Sequence, residues 1–333
     1  MLKCLSRRFS RKIDSGYFGL IRARYYGNVH DNDNNGNKRK KNFIGKMWSI
    51  RPLLNSIVFA LIGIIKSTMK LFIPLKYQMK NISGEIALVT GAAGGLGREL
   101  AINLVKHGTI VVIWDIDQEG IEETKELVKA AGGTCYGYVC DVRNREDIYK
   151  TAEIVREEVG QVTILINNAG VVNIGIFWNI SDDLLTRTME VNIMSQFWTV
   201  KAFLPAMIKN NKGHIANIAS VAGLTGCPVI VDYCTSKYAA VGFNEALQME
   251  FELHGRDIST TTICPFFIHS TGMPAFKYSG YEIIPTLSPR DVAEKTITSI
   301  RCNKKLVLVP ITTEISSFYR SYSKPTGYIS VIE

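Results

Sequence analysis

A glycine-rich stretch, TGAAGGLG at 90–97, constrains the fold of this chain more than any other feature of its sequence. It follows an apolar run at 86–90 that is typical of a buried strand, and it opens a helix predicted over 98–106. Glycines in this stretch permit a tight turn and let the backbone approach a pyrophosphate at the helix N-terminus. The stretch therefore predicts a dinucleotide-binding turn, with these candidate cofactor residues: Thr90, Gly91, Gly95, Leu96 and Gly97.

Strands and helices alternate along the chain after residue 83. Apolar runs predict strands at 86–90, 110–114, 134–139, 163–166, 214–218, 259–264 and 305–309. The segments between them predict helices at 98–106, 118–131, 146–158, 184–209, 234–253 and 289–300. This alternation is typical of an α/β fold, a Rossmann-type doubly wound parallel sheet of about seven strands with helices on both faces. The carboxyl ends of such strands, and the ligand, lie at one edge of the sheet.

Two aspartates follow predicted strands near the glycine-rich turn. Asp115 ends the second strand, 18 residues after Gly97. A carboxylate there can accept both adenosine ribose hydroxyls and repels a 2′-phosphate, so we predict NAD over NADP. The alternative, a helix N-cap, is plausible for Asp115 only if the glycine turn is disregarded. Asp141 and Val142, after the third strand, are candidates for contact with the adenine; a loop cap explains Asp141 almost equally well.

A tyrosine and a lysine, Tyr233 and Lys237, stand four residues apart on a predicted helix and share a face. An unperturbed tyrosine has a pKa of about 10, and a neighbouring cation lowers that value. A phenol tuned in this way can move the proton that oxidation of an alcohol or reduction of a carbonyl requires. On its own the pair is more often an ordinary surface contact.

The net charge of +9 belongs to residues 1–46, which hold 12 Lys and Arg against three Asp. The remainder is neutral, so no nucleic-acid binding is predicted for the fold. Residues 1–30 are arginine-rich and nearly free of acid, which resembles a mitochondrial targeting peptide. Residues 31–41 have nothing to bury and are expected to be disordered. The alternative is an extension of no specific role ahead of Met47.

Residues 47–79 are predicted to be a hydrophobic membrane anchor. The uninterrupted apolar part, 53–65, spans about 20 Å as a helix, short of the roughly 30 Å hydrocarbon core. Lys66 and Lys70 share a face, so the second half can lie in the interface with its lysines snorkelling. Spanning and monotopic anchors both remain open, and the alternative is a helix packed on the core of the same protein. The seven cysteines lack zinc-like spacing, so we expect reduced thiols and no metal.

Four motifs in order resemble those of the short-chain dehydrogenase/reductase family. They are Thr-Gly-x-x-x-Gly-x-Gly at 90–97, Asn-Asn-Ala-Gly at 167–170, Ser220, and Tyr-x-x-x-Lys at 233–237. The resemblance covers about 84–309, which implies a catalytic domain at 80–310 and a tail at 311–333. Shorter matches, LFIP at 71–74, SGEI at 83–86, IWDI at 113–116 and CPFFI at 264–268, are similar to the membrane-anchored retinol and 17-beta-hydroxysteroid dehydrogenase group. Residues 1–46 depart from that group's pattern.

The resemblance implies roles for individual residues. Tyr233 would be the general acid/base, Lys237 would lower its pKa and bind the nicotinamide ribose, and Ser220 would hydrogen-bond the substrate oxygen. Asn192 would hold a water against the lysine; the alternative is a side chain bonded to its own helix. Further cofactor contacts are implied for Asn168, Ala169, Gly170, Pro265 and Ile268. Phe266 replaces a family glycine and the following loop is one residue longer, so the carboxamide contact, Ser270 or Thr271, stays open.

The implied activity is oxidation of a lipophilic alcohol, of the retinol or hydroxysteroid class, or reduction of its ketone or aldehyde. Phe177, Phe266 and Phe267 are the candidate substrate-pocket residues beside Ser220. The resemblance further implies a homodimer, formed through helices at 184–209 and 232–253. It also implies a place at the endoplasmic reticulum or lipid droplet with the domain on the cytosolic side, or at the mitochondrion through residues 1–30. The rival hypothesis is a catalytically silent lipid-binding or scaffold protein, which would be expected to have lost Ser220, Tyr233 or Lys237.

Overall fold

The computed structural model describes residues 57–58, 60–65, 68, 74–269 and 286–310. The chain divides into two compact units, Met1–Met79 and Lys80–Glu333. In the first unit, 57–58, 60–65 and 68 are helical, and a short helix runs over Leu75–Gln78. Within the described parts of the chain, no helix has both the length and the apolar character needed to cross a bilayer. Most of the predicted anchor, all of 1–46 and the tail at 311–333 lie outside the described residues.

The second unit is built on a seven-stranded sheet, which confirms the predicted Rossmann-type α/β fold. Its strands are β1 (Ile86–Thr90), β2 (Ile110–Asp115), β3 (Cys135–Val139), β4 (Ile164–Asn167), β5 (Gly213–Ile218), β6 (Ile258–Pro265) and β7 (Leu306–Val309). They lie in the order β3-β2-β1-β4-β5-β6-β7, with every neighbouring pair parallel. The order reverses between β1 and β4, which is where such sheets bind ligands.

Helices connect the parallel strands. They are α1 (Gly95–Val105), α2 (Gln118–Ala130), α3 (Arg145–Glu158), α4 (Asp182–Met189), α5 (Ser195–Asn210), α6 (Val231–Leu253) and α7 (Pro289–Arg301). Polar side chains fix several starts: Asp117, Asn144 and Ser181 each accept a backbone N–H of the first turn of α2, α3 and α4. The stretch predicted to be helical at 184–209 is helical throughout, but a π-helical turn at Glu190–Met194, which was not predicted, separates α4 from α5.

Two apolar cores cover the two faces of the sheet. Ala87 and Val89 of β1 pack into one cluster, with α1, α2 and α7, whereas Leu88 packs into the other, with α3 and α5. Trp114 of β2 belongs to the second cluster, where its ring lies 5.6 Å from that of Phe203. Because successive strand residues point to opposite faces, both faces must be apolar, which is why these strands are nearly continuous apolar runs.

A buried hydrogen-bond relay links the start of the second unit to β5 and β6. Lys80 Nζ lies 2.8 Å from His214 Nδ1, and His214 Nε2 lies 2.8 Å from Thr261 Oγ1. Thr261 in turn donates to the Lys304 carbonyl at 2.6 Å. Nδ1 must accept from the lysine, which places the imidazole proton on Nε2. Burial, reinforced by Lys80, holds the pKa of His214 well below its usual value, and burial lowers the pKa of Lys80 to about 8.

This relay predicts a loss of stability in mild acid. An unfolded histidine titrates near pH 6.5, so below that pH the unfolded chain binds a proton that buried His214 does not. The free energy of unfolding should therefore fall as the pH drops below about 6.5, by up to about 1.4 kcal/mol per pH unit from this group. The contribution of His214 is measured by thermal unfolding of the unmodified protein and of His214→Gln at pH values from 7.5 to 5.5. A difference between the two that does not change with pH would contradict the prediction.

Candidate active site

The turn between β1 and α1 is shaped by close backbone contacts. Gly91 and Gly95 have φ of +66° and +53°, in the left-handed region that glycine adopts without strain. A Cβ added at Gly97 would lie 2.1 Å from the Gly91 carbonyl oxygen and 2.8 Å from Asn168 Nδ2. The turn can therefore close only with glycine at this position. Leu96, next to it, is buried in the core beneath the turn.

The loop after β4 is tied to the same turn by hydrogen bonds. Thr90 Oγ1 accepts from the backbone N–H groups of Asn168 and Ala169, both at 3.1 Å. Asn168 Nδ2 donates at 2.9 Å to the carbonyl oxygens of Thr90 and Gly91. The structure thus brings together four of the predicted cofactor residues, Thr90, Gly91, Asn168 and Ala169, and the side-chain amide nitrogen of Asn168 holds the backbone of the turn.

Asp115 ends β2 and faces the glycine-rich turn. Its Oδ2 accepts from Ala93 N at 2.9 Å, and its Oδ1 accepts from Ile116 N at 2.7 Å. The N-cap of α2 is Asp117, not Asp115, since Asp117 accepts from Gly120 N at 3.2 Å. The carboxylate of Asp115 is therefore placed at the edge of the turn, where the adenosine ribose was expected.

Two residues that the sequence did not single out also hold this turn. Thr124 of α2 donates to the Ala92 carbonyl at 3.0 Å, and Arg98 of α1 donates to the Ala93 carbonyl. Arg98 also pairs with Glu123 at 2.7 Å. An arginine and a threonine on helix surfaces give no local signal of this role, because it depends on how α1 and α2 pack together.

Asp141 and Val142 follow β3 at the neighbouring position along the sheet edge. Asp141 Oδ1 accepts from Arg143 N at 3.0 Å, and its carboxylate pairs with the Arg143 guanidinium at 2.6 Å. That hydrogen-bonded ion pair lowers the pKa of Asp141. Val142 is buried in the second core cluster. The loop-cap interpretation of Asp141 thus describes its contacts in this structure.

Tyr233 and Lys237 lie in the first two turns of α6, with Ser220 directly after β5. Burial raises the pKa of Tyr233 to about 12, and its interaction with the Ser220 side chain opposes that rise. Lys237 is 2% exposed, and its Nζ donates to the Ile218 carbonyl at 2.9 Å. Burial lowers the pKa of Lys237 to about 8. Its Nζ lies 5.4 Å from the centre of the Tyr233 ring, so the ammonium and the phenol are neighbours, as the four-residue spacing predicted.

Asn192 sits in the π-helical turn and is completely buried. Its Oδ1 accepts from Val171 N at 2.8 Å, and its Nδ2 donates to Val171 O at 2.9 Å and to Ser236 Oγ at 3.0 Å. The alternative of a side chain bonded to its own helix is therefore not what the structure has. A Cβ at Gly170 would lie 3.4 Å from Lys237 Nζ and 3.5 Å from Asn192 Oδ1, so both groups face the backbone at Gly170. Single-turn π-helices are frequent at functional sites.

The candidate pocket residues are aromatic and partly open to solvent. Phe177 belongs to a short 3-10 turn at Phe177–Asn179, where Trp178 is 81% exposed. Phe266 and Phe267 follow β6 and pack edge to face, with ring centroids 4.8 Å apart. Pro265 ends β6, and Ile268 pairs with Leu287. Ser270, Thr271 and the rest of 270–285 lie outside the described residues.

Sheet topology, the glycine-rich turn and the Ser220, Tyr233 and Lys237 cluster together define a dinucleotide-dependent oxidoreductase class. A family model described as short chain dehydrogenase matches residues 85–281. The chain belongs to the short-chain dehydrogenase/reductase family, and it is an oxidoreductase that acts on alcohols. Membership of this family does not decide between NAD and NADP. That preference depends on the residues of the cofactor site.

Two proteins and one solved structure are similar to the chain over most of its length. The chain is 45% identical over 260 residues to mouse (Mus musculus) estradiol 17-beta-dehydrogenase 11, covering 78% of this chain and 84% of that protein. It is 41% identical over 283 residues to human (Homo sapiens) epidermal retinol dehydrogenase 2, covering 84% and 86%. A short-chain dehydrogenase/reductase from Burkholderia phymatum, solved in complex with NAD, has a TM-score of 0.67 at 26% identity, covering 76% of this chain and all of that one.

Proposed function

We propose that this protein is an NAD-dependent oxidoreductase that interconverts a lipophilic alcohol, primary or secondary, and its carbonyl compound, with Tyr233 as the general acid/base. The observation that carries the proposal is the cluster of the half-buried Ser220 and Tyr233 with the buried Lys237 at the carboxyl edge of the sheet. There the Tyr233 phenol interacts with the Ser220 side chain, and Lys237 Nζ lies 5.4 Å from the centre of the tyrosine ring. A hydroxyl donor, a phenol and a cation around one space can hold an alcohol oxygen and move its proton.

The turn after β1 fits a dinucleotide. A side chain at Gly97 would collide with Gly91 and Asn168, so the backbone there is left bare beside the N-terminus of α1. Such bare backbone at a helix N-terminus suits a pyrophosphate. Gly91, Gly95, Leu96, Asn168, Ala169 and Gly170 would line the bound molecule, with Pro265 and Ile268 near its nicotinamide end. When bound, the nicotinamide supplies the hydride acceptor or donor.

The side chains then divide the proton chemistry among them. In alcohol oxidation, Ser220 Oγ holds the substrate oxygen, and Tyr233 Oη receives the substrate proton once the phenol has released its own proton and become a phenolate. In carbonyl reduction, Tyr233 gives that proton back; its pKa of about 12 keeps the phenol protonated at neutral pH in the unliganded site. Lys237, with a pKa of about 8, stays mostly cationic at neutral pH, and a cation beside the phenol favours its phenolate form. Asn192 fixes the loop against which Lys237 rests.

NAD is proposed over NADP because of Asp115. We expect Asp115→Asn, which keeps an acceptor for Ala93 N but removes the charge, to lower the preference for NAD by at least roughly tenfold, about 1.4 kcal/mol. The measurement is kcat/KM for NAD and for NADP with one alcohol. The control is Asp291→Asn, an exposed acid in the first turn of α7. An unchanged ratio of the two constants in Asp115→Asn would contradict this assignment.

A lipophilic substrate is supported by the aromatic residues Phe177, Phe266 and Phe267 and by the names of the steroid- and retinol-directed relatives. Ile57, Val58, Leu61, Ile64 and Ile65 are exposed on the helical residues of the first unit, which supports a membrane or lipid-droplet contact through 47–75. We propose the endoplasmic reticulum or lipid droplet as the location. We also propose a homodimer through the helical stretches 184–209, which spans α4, the π-helical turn and α5, and 232–253, which lies in α6.

The experiment that tests the activity is a screen with NAD and NADP in parallel. All-trans-retinol, a 17-beta-hydroxysteroid and a long-chain fatty alcohol are the substrates, and absorbance at the reduced-nicotinamide band is the readout. Turnover of at least one of them with NAD is expected. Turnover restricted to small polar alcohols would contradict the assignment of a lipophilic substrate. Absence of turnover with every alcohol would favour the rival hypothesis of a catalytically silent lipid-binding or scaffold protein.

A further inference from the structure

A buried carboxylate stands directly before Tyr233. Asp232 lies in the first turn of α6 and is 5% exposed. Its Oδ2 accepts from Thr188 Oγ1 at 2.8 Å and from Asn173 Nδ2 at 3.1 Å. In the part of the chain that the structure describes, its Oδ1 has no hydrogen-bond partner. The carboxylate therefore makes these hydrogen bonds through one oxygen, and both partners lie outside α6.

These contacts form a junction of three elements, the Asp232 junction (Asp232, Thr188 and Asn173). Thr188 is buried in α4, and Asn173 belongs to the loop after β4; their side chains approach to 2.7 Å. A hydroxyl has a single proton to donate. Thr188 Oγ1 faces Leu184 O at 3.0 Å within its own helix as well as Asp232 Oδ2 at 2.8 Å. The carboxylate thus competes for a bond that would otherwise stay inside α4.

A second tie lies on the other side of Tyr233. Ser236 Oγ donates to the Tyr233 carbonyl at 2.7 Å and accepts from Asn192 Nδ2 at 3.0 Å. The Asn192 side chain accepts from the backbone N–H of Val171 and donates to the Val171 carbonyl. The loop after β4 is thus held at Val171 through Ser236 and at Asn173 through Asp232. Tyr233 lies between the two ties, one residue after the first and three residues before the second.

We infer that Asp232 is a positioning residue, which fixes Tyr233 relative to the loop at Gly170 and to Lys237. The inference rests on the proposed role of Tyr233 as the acid/base. A misplacement of about 1 Å at a reacting group can lower a rate about a hundredfold. The nucleotide-binding turn between β1 and α1 has its own hydrogen bonds to Asn168 and Thr124. Loosening the junction should therefore slow turnover without weakening the binding of NAD.

Three variants test the junction. Asp232→Ala and Thr188→Val each remove one member, and Thr296→Val is the matched control: Thr296 is a buried helical threonine that donates to a carbonyl four residues earlier, at 2.7 Å, in α7. Each junction variant should lower kcat by about ten- to a hundredfold, with KM for NAD within about twofold. Because both changes cut the same tie, the double variant should be no slower than the slower single variant. Thr296→Val should match the unmodified protein.

Hydrogen exchange gives a readout that does not need turnover. In Asp232→Ala, peptides covering 171–176 and 231–236 should both exchange faster, whereas in Thr296→Val neither should. Should Asp232→Ala fail to fold, Asp232→Asn, which keeps the shape and one acceptor oxygen, replaces it with a smaller expected change in the same direction. Unchanged exchange in the two peptides would overturn the junction, and unchanged kcat in both single variants would overturn the positioning role. A complete lack of turnover in the unmodified protein would instead count against the proposed function, and the exchange result would still decide the junction.

Discussion

Replacing Tyr233 by phenylalanine is expected to lower kcat by roughly a hundred- to ten-thousandfold, the usual contribution of a positioned acid/base. The change removes one oxygen atom and leaves the ring, which packs with Ala222, Ile230 and Cys234. The fold and the binding of NAD should therefore survive. The measurement is NADH formation with the alcohol that the screen identifies, together with fluorescence titration of NADH to check binding.

The matched control for this prediction is Tyr238→Phe. Tyr238 lies on the same helix but is exposed, so its hydroxyl should contribute nothing to turnover. Equal rates in the Tyr233→Phe variant and the unmodified protein would rule out the tyrosine as proton carrier. Equal losses in the two variants would show that the effect comes from the helix and not from the phenol.

Replacing Gly97 by alanine is expected to abolish cofactor binding, with an affinity loss of at least about a hundredfold. The added Cβ would lie 2.1 Å from Gly91 O and 2.8 Å from the Ala92 Cα, and backbone atoms cannot yield as a flexible side chain does. The turn must open, and its hydrogen bonds to Asn168 and Thr124 break with it. Each hydrogen bond of this kind contributes about 0.5–1.5 kcal/mol, so the protein should also unfold more easily.

Gly242→Ala is the matched control for the glycine prediction. Gly242 lies in α6, and a Cβ there would meet nothing within 4 Å. Alanine is the better helix former, so this variant should bind NAD normally and gain about 0.5–1 kcal/mol of stability. Titration of NADH fluorescence and thermal unfolding measure both. Normal NADH affinity in Gly97→Ala would show that the turn does not form the nucleotide site.

The order and type of the elements could be predicted because the signals are local or follow from chain handedness. Apolar runs mark the strands, and right-handed crossovers fix the common edge at which Thr90, Asp115, Ser220 and Tyr233 meet. The sequence predicts the start of α1 at residue 98, three residues after its observed start at Gly95. By propensity Gly95 and Gly97 disfavour a helix, but the close packing of the turn holds them in one.

Contacts between distant parts of the chain could not be predicted. The stretch 184–209 has continuous helical periodicity, which hides the π-helical turn that points Asn192 at Val171. The sequence suggested that Lys237 would lower the pKa of Tyr233, whereas burial raises it and Ser220 is the group that opposes the rise. Burial depends on the elements packed around a side chain, so its effect on a pKa is not readable from a spacing of four residues.

The exposed indole of Trp178 provides an optical reporter at the aromatic side of the site. It follows Phe177, a candidate pocket residue, and is 81% open to water, whereas Trp114 is completely buried in the second core cluster. Indole emission shifts to shorter wavelengths when water is excluded. The difference in emission between the unmodified protein and Trp178→Phe therefore isolates one fluorophore. A blue shift of that difference signal on adding a lipophilic alcohol would report the ligand's arrival at this face without any turnover.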